Sequence, residues 1–460
     1  VAKKSLSFRV GRVRAFLRGR VWYLAYWEQG RRRQPRVGSD RDEARVMAAE
    51  INGQLEAGAP SALGFEGITF PALRDRWLDH HEHVRRSSLH TIGRYRSATE
   101  HLLDFVAKAR PLKKVSELHP PQVEEFIRFL RSRRVAPNGH QNARKRALRD
   151  SGVKYVLETC SSMMNYAQRQ RHLPPYAENP FRAIEINRIP VEDAKPVVAL
   201  TNDEQVALLD RCDDWQFPIF ATLLLTGLRP GELVHLLLPA DLDLQAGWLR
   251  VRNKPKLGWQ VKTRNERDIP LVPVLCQILR QVIGDRQSGP AFRQRRCSLG
   301  YEPPLAGQTL RQLECEVACR VERFPDDSTN PVPERIKRQA VAQSVWRDLG
   351  TLKEDWLRKE FMSLTRSIGL ENVTAPKTLR HTFATCLQDG NVDPLIRNEL
   401  MGHAPMALTP AGGLGMTTIY THTRPETKRR QLDQALGCLP VAETANRWLA
   451  ACRTASQLAS

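Results

Sequence analysis

Arg229, Lys262, Lys377, Arg380, His403 and Tyr420 are widely separated in the chain, yet together they supply what attack on a phosphodiester needs. A phosphodiester is anionic and repels nucleophiles. Two guanidiniums can grip its non-bridging oxygens with forked hydrogen bonds that strengthen as charge builds in the transition state, and Arg229 and Arg380 fit that task. A phenol can attack phosphorus, but its pKa near 10 calls for nearby cations or a base. Tyr420 fits the nucleophile and is the only tyrosine after Tyr301. Lys262 is the candidate general acid for the leaving oxygen. His403 is placed as a hydrogen-bonding partner of the phosphate. Glu232, about one helical turn after Arg229, reads as a group that orients cations rather than one that reacts. His381 directly follows Arg380, so it faces elsewhere on the helix in a supporting position.

Each residue also has a plain structural reading. The arginines could pair with Glu232 or another carboxylate. Tyr420 could be a core aromatic with a satisfied hydroxyl, Lys262 a solvated strand-edge lysine and His403 a buried structural histidine. What favours chemistry is the set of motifs around them: Thr226-Gly227-Leu228-Arg229-Pro230-Gly231-Glu232-Leu233; Val261-Lys262-Thr263 with Arg267-Asp268-Ile269-Pro270-Leu271, read as a β-hairpin; Lys377-Thr378-Leu379-Arg380-His381; and Leu400-Met401-Gly402-His403 followed by Thr418-Ile419-Tyr420-Thr421-His422.

In these motifs the chain resembles the tyrosine recombinases, or phage integrases. Their catalytic domain carries an Arg in a Gly-x-Arg-x-x-Glu-Leu turn, a hairpin Lys, a His/Lys-x-x-Arg box, a Leu-x-Gly-His box and a nucleophilic Tyr. All five occur here in that order, over about residues 195–440. The resemblance implies a 3′-phosphotyrosyl intermediate with a free 5′-hydroxyl. It implies double-stranded DNA as partner and a homotetramer on two DNA sites, with room for an accessory DNA-bending protein. Two departures stand out. Lys377 replaces the histidine of the His-x-x-Arg box; an ammonium can still donate a proton or hydrogen bond, but its higher intrinsic pKa makes it a poorer base at pH 7 unless desolvated. A Pro/Gly-rich stretch, Thr409–Gly415, lengthens the spacing from His403 to Tyr420 and reads as a flexible tether.

The elements that must position these residues make a mainly α fold with small β-sheets. Residues 1–62 form a basic α+β unit, similar to the arm-type DNA-binding domains of some integrases. Three strands are expected there, then a helix capped at Ser39-Asp40 and running to about Glu56. Residues 66–186 form a helical unit resembling the family's core-DNA-binding domain, with helices over Phe70–Val84, Ser88–Lys108, Pro121–Arg134 and Gln141–Arg169. Lys145, Arg146, Arg149 and Lys154 would line the polar side of the last one. Residues 195–440 form the catalytic domain. It opens with a Thr201-Asn202-Asp203-Glu204 capping box and an apolar helix over Trp215–Leu225. Strands follow at Trp248–Arg252, Trp259–Lys262 and Asp268–Leu271. Residues 285–370 read largely as an insertion, with helical patterns at Gln308–Val321 and Glu334–Phe361. Residues 441–460 form a helical tail that packs either on its own domain or, as in relatives this chain resembles, on a neighbouring protomer.

Charge agrees with a polyanionic partner: Lys and Arg number 71 against 50 Asp and Glu, a formal +21. The longest apolar run, Phe217–Leu228, is too short to span a bilayer. No signal-peptide pattern opens the chain, and the reading is a cytoplasmic, nucleoid-associated prokaryotic protein. Nine scattered cysteines read as reduced thiols. Cys315 and Cys319 share a helix face but lack a second ligand pair at metal spacing. His80, His81 and His83 read as a solvated face. With no P-loop and no two-metal carboxylate cluster, neither cofactor nor metal is expected. Two competing readings share the fold: a type IB topoisomerase-like enzyme, and a DNA-binding regulator with a decayed site.

Overall fold

Alternating apolar residues and glycine turns near the start of the chain build a five-stranded antiparallel sheet rather than three strands. Strands β1 (Ser7–Val10), β2 (Val13–Arg18), β3 (Val21–Glu28) and β4 (Arg31–Arg33) run in sequence order, and β5 (Arg36–Gly38) also pairs with β3. One face buries Val13, Ala15, Trp22, Leu24 and Tyr26 against Ala44, Ala48 and Ile51 of α1 (Arg41–Glu56). Asp40 caps α1, accepting hydrogen bonds from the Asp42 and Glu43 backbone amides at 2.7 and 3.2 Å. The alternation sends Arg14 and Phe16 to the opposite face. There Arg14 lies opposite Arg9, and Phe16 stacks on Tyr23.

In the computed structural model, residues 6–28, 30–57, 67–136, 142–173, 177–193, 196–325, 332–403, 423–437 and 439–459 are described, the last five by backbone alone. The chain divides into two units, Val1–Lys195 and Pro196–Ser460. The first holds the sheet and a helical core of its own. That core is built by α2 (Phe70–Asp79), α3 (Leu89–Asp104), α4 (Pro120–Ser132) and α5 (Asp150–Arg169). Helices α2 and α3 each run on into a single π turn, at His80–Val84 and Phe105–Ala109. His81 is not solvated as its neighbours suggest. It is buried, with its ring 4.8 Å from Trp77 and 4.9 Å from Tyr95.

The helix expected from Gln141 begins only at Asp150. From Val153 onward the sequence has an apolar stripe to bury (Val153, Val156, Leu157, Cys160, Met163). Residues 142–147, Asn-Ala-Arg-Lys-Arg-Ala, have none. Arg146–Ala147 instead pairs with Arg134–Val135 in a short ladder. Lys145, Arg146 and Arg149 therefore precede the helix, and only Lys154 lies on it.

In the second unit, α6 (Asn202–Asp210) begins at the Thr201 capping box, with Thr201 and Glu204 exchanging hydrogen bonds. Helix α7 (Gln216–Thr226) is buried at every residue and forms the axis of the core. Around it lie α8 (Pro230–Val234), β6 (Trp248–Val251), β7 (Arg267–Pro270), α9 (Pro273–Ile283) and, beyond an intervening hairpin, further helices. The expected strand Trp259–Lys262 does not form, because β6 pairs directly with β7, from Trp248 opposite Pro270 to Val251 opposite Arg267. Trp259 makes only an isolated bridge to Lys254.

The segment 285–370 is divided. Helices α10 (Leu310–Glu322) and α11 (Glu334–Asp348) pack on each other around Leu313, Val317, Val341 and Val345, apart from the main core. Gly350, at φ 79°, follows the end of the second, and α12 (Glu354–Ser367) buries Leu357, Phe361 and Leu364 in the main core. The hairpin thus has a small core of its own, while the rest of the segment belongs in part to the main core. Then come α13 (Lys377–Asp389), α14 (Pro394–Met401), α15 (Pro425–Gly437) and α16 (Val441–Ala459). The tail helix α16 docks on its own unit. Val441, Ala445 and Leu449 join the main core, and Trp448 stacks on Phe217 at 4.9 Å with the rings 7° from parallel.

Candidate functional site

A helix stop followed at once by a helix start creates the centre of the site. Helix α7 ends at Gly227, which adopts φ 61°, and a Cβ there would lie 2.2 Å from Phe383. Both facts require glycine. Leu228 is buried and Arg229 is extended, at φ −72° and ψ 147°, as the N-cap of α8. Glu232 then folds back to accept the Arg229 backbone N–H at 2.9 Å and its Nη1 at 2.7 Å.

The same carboxylate receives a second guanidinium. Arg267, on β7, donates from Nη2 to Glu232 Oε2 at 2.6 Å and from Nη1 to Oε1 at 3.1 Å, a two-pronged pairing. Its Nε donates to the Leu400 carbonyl at 2.8 Å. Arg267 thereby ties the α8 turn to the end of α14. Arg380, on α13, donates from Nη1 to the Gly227 carbonyl at 2.6 Å and from Nη2 to the Met401 carbonyl. Two arginines thus link the Gly227–Glu232 turn to the Leu400–Met401 turn that precedes His403.

Gly402 closes α14 at φ 60°, and a Cβ there would stand 2.9 Å from Arg267 Nη1. His403 follows, exposed, with its backbone N–H donating to Asn398 O at 3.0 Å. Lys262 is exposed in a turn of the segment joining β6 to β7. Next to it, Thr263 Oγ1 donates to the Gly402 carbonyl at 3.2 Å, which brings the Lys262 turn to the His403 turn. Lys377 is exposed at the first turn of α13, and half-buried His381 lies one turn on. Tyr420 and the 409–415 stretch lie outside the described residues, as does His422.

Electrostatics tie these groups together. Burial acts to raise the Glu232 pKa, but hydrogen bonds from Arg267, with Arg229 behind them, hold it below the ordinary glutamate range. Burial, then the like charges of Arg229 and Arg267, bring the Arg380 guanidinium down to about 10. It remains a cation at neutral pH. Partial desolvation, followed by the charges of Arg380, Arg229 and Arg267, lowers the His403 imidazole below its ordinary value. Three cations around one histidine favour its neutral form. His381 is lowered by burial and then by Lys377 and Arg380.

Arg229, Glu232, Arg380 and the His403 turn are brought together, with Lys262 tethered next to them through Thr263. Arg267 is the participant that sequence reasoning overlooked. A signal existed: Arg267, Ile269 and Leu271 alternate with Asp268, so Arg267 shares the inward face of its strand with two apolar residues. Among the described residues, no group of three or more His, Cys, Asp or Glu could hold a metal ion. Nor is any helix among them long and apolar enough to cross a membrane.

No family model matches the chain. Curated proteins do. The chain is 24% identical over 385 residues to the tyrosine recombinase XerC of Chlamydia trachomatis serovar D, a match covering 78% of this chain and 95% of that protein. It is 23% identical over 358 residues to a tyrosine recombinase of Thermosipho africanus, covering 77% and 96%. Among solved structures, the Tn1549 transposon integrase in complex with transposon right end DNA shares the fold. The TM-score is 0.50 at 16% identity, covering 80% of this chain and 99% of that one.

Proposed function

The chain belongs to the tyrosine recombinase, or phage integrase, family, and from that premise we propose that it is the integrase of a mobile element. In this reading it cuts and rejoins duplex DNA through a covalent bond to Tyr420. The observation that carries the proposal is the clamp: Arg229 and Arg380 are both bonded to the Gly227–Glu232 turn, Arg229 at Glu232 and Arg380 at the Gly227 carbonyl, with His403 in their combined field.

In the first step Arg229 and Arg380 bind the non-bridging phosphate oxygens. The Tyr420 oxygen bonds to phosphorus, the bond from phosphorus to the 5′-oxygen breaks, and that oxygen takes a proton from Lys262. Neutral His403 has a lone pair to receive the phenolic proton. Lys377 as an ammonium has none, so its contribution is a hydrogen bond or charge. Glu232 and Arg267 keep Arg229 in place. The reverse steps, with a new 5′-hydroxyl as nucleophile, rejoin the strands and conserve the phosphodiester's energy. The basic face of the N-terminal sheet, with Arg9, Arg14, Phe16 and Tyr23, suits an accessory DNA segment. Exchange between two duplexes requires four copies, one per strand cut.

Incubation with a nicked suicide duplex carrying the element's attachment sequence tests this. The intact protein becomes trapped as a covalent adduct, and Tyr420→Phe abolishes the adduct without abolishing binding. Binding by the intact protein with no adduct would instead establish a regulator. Relaxation of supercoiled DNA without site preference would establish a topoisomerase.

A further inference from the structure

The α10–α11 hairpin takes no part in the chemistry so far, yet it grips the segment that carries Lys262. Resting on the reading of Lys262 as general acid, we propose that the hairpin is a buttress that sets the position of Lys262, with Trp259 and Trp346 as positioning residues.

Residues 252–266 join β6 to β7, far more than the two to five residues an ordinary hairpin turn needs. Segments of this length are usually mobile, but here the loop has a core. Leu257 is 1% exposed and packs with Leu313, Val341 and Val345 of the hairpin. Trp346, on α11, donates its indole N–H to the Leu257 carbonyl at 2.9 Å. Gly258 has φ 66°, and a Cβ there would lie 2.7 Å from that of Ala342 on the same helix. Lys256 pairs with Glu314 of α10 at 3.0 Å.

The grip continues toward Lys262. Trp259 and Lys254 exchange backbone hydrogen bonds at 3.0 and 3.1 Å. The Trp259 ring stacks on His235 at 4.8 Å, and Trp346 meets the same imidazole edge-on at 4.7 Å. His235 follows α8 directly and hydrogen-bonds the Gly231 carbonyl at 2.6 Å, so the stack rests on the Arg229–Glu232 turn itself. Burial holds the His235 pKa down to about 4, so the ring is neutral at pH 7. Past Trp259, Val261 N–H donates to Asn253 Oδ1 at 2.9 Å and Thr263 reaches Gly402. Lys262, itself exposed, is flanked on both sides by anchored residues, and the upstream anchor leads back to the hairpin.

A proton-donating lysine displaced by about 1 Å loses much of its effect. The test compares single-turnover cleavage of two duplexes of the same attachment sequence. One has the ordinary 5′-oxygen at the scissile phosphate. The other has a bridging 5′-sulfur, which departs as a thiolate with the bonding electron pair and needs no proton. Trp346→Ala slows the oxygen substrate by roughly ten- to hundredfold and leaves the sulfur substrate close to the unmodified rate. Trp346→Phe, which keeps an aromatic ring and loses the N–H donated to Leu257, shows a smaller effect of the same selectivity and covers the case in which the alanine variant fails to fold. Equal slowing of both substrates, or of neither, overturns the buttress. Lys262→Ala serves as the reference. If sulfur does not rescue it, the general-acid assignment itself fails, an outcome distinct from loss of selectivity in the tryptophan variants alone.

Discussion

Glu232 and Asp241 are close in the chain, both buried and both paired with a cation, yet their pKa values move in opposite directions. Glu232 faces two guanidiniums, and their combined hydrogen bonds overcome burial and keep it acidic. Asp241 meets a single ammonium, Lys254 Nζ at 2.7 Å, and the Leu237 backbone N–H at 2.7 Å. Its other oxygen, Oδ1, has no partner among the described residues. Burial then wins, and the Asp241 pKa is raised. The difference lies in the donors. A guanidinium fork supplies several directed hydrogen bonds to one carboxylate, whereas an ammonium is a compact point charge. The forked network stands at the turn that holds Arg229. The point-charge pair stands under the Trp259 stack, with Lys254 Nζ 5.2 Å from the ring centre.

The sharpest way to break the contrast is Glu232→Gln, which removes the charge shared by Arg229 and Arg267. Adduct formation should fall about 10²- to 10³-fold in single-turnover assays. A rate within a few-fold of the unmodified protein would mean that the arginines hold their places without it. Next in size is Asp241→Leu, which strands Lys254 in the interior and should lower unfolding free energy by about 3–5 kcal/mol in urea titrations. The double replacement Asp241→Leu with Lys254→Met should recover much of that loss, since it removes the stranded charge, and the remainder reflects the Leu237 N–H left without its acceptor. A double variant no more stable than the single would count against this view.

The smallest effect is the pH slope. Glu232, depressed below its ordinary value near 4.5, contributes stability that is present above that value and lost as pH falls through its folded pKa. Asp241, raised above 3.8, does the reverse: its contribution is present below 3.8 and lost as pH rises through its folded pKa. Between about pH 6 and pH 3, the stability gap between the unmodified protein and Glu232→Gln should shrink on acidification. The gap to Asp241→Asn should shift in favour of the unmodified protein. Parallel curves for the two would remove the basis of the comparison.

Much of the site was legible because its residues sit at local punctuation. Gly227 and Gly402 stop helices, Thr201 and Arg229 start them, and the catalytic candidates are next to these marks. Arg267 was harder to place: its alternation with Ile269 and Leu271 signals an inward face, but its partner Glu232 lies in a distant turn. The loop was misread as a strand for the same reason. What holds Trp259 is His235 and Trp346, far away on either side in the chain, and no local pattern encodes that stack. The helix expected from Gln141 failed on a local rule that was available: residues 142–147 offer no apolar stripe.

The docking of α16 bears on how the protein is made. Trp448 covers Phe217 near the start of α7, the helix that leads to the Arg229 turn, and Leu449 and Ala445 fill the core around it. A ribosome-bound chain lacking residues 441–454 would still leave the start of α7 uncovered. Synthesis of residues 441–454 must precede completion of this core, so a nascent chain holds the Arg229 turn in a partly formed scaffold until translation has passed them.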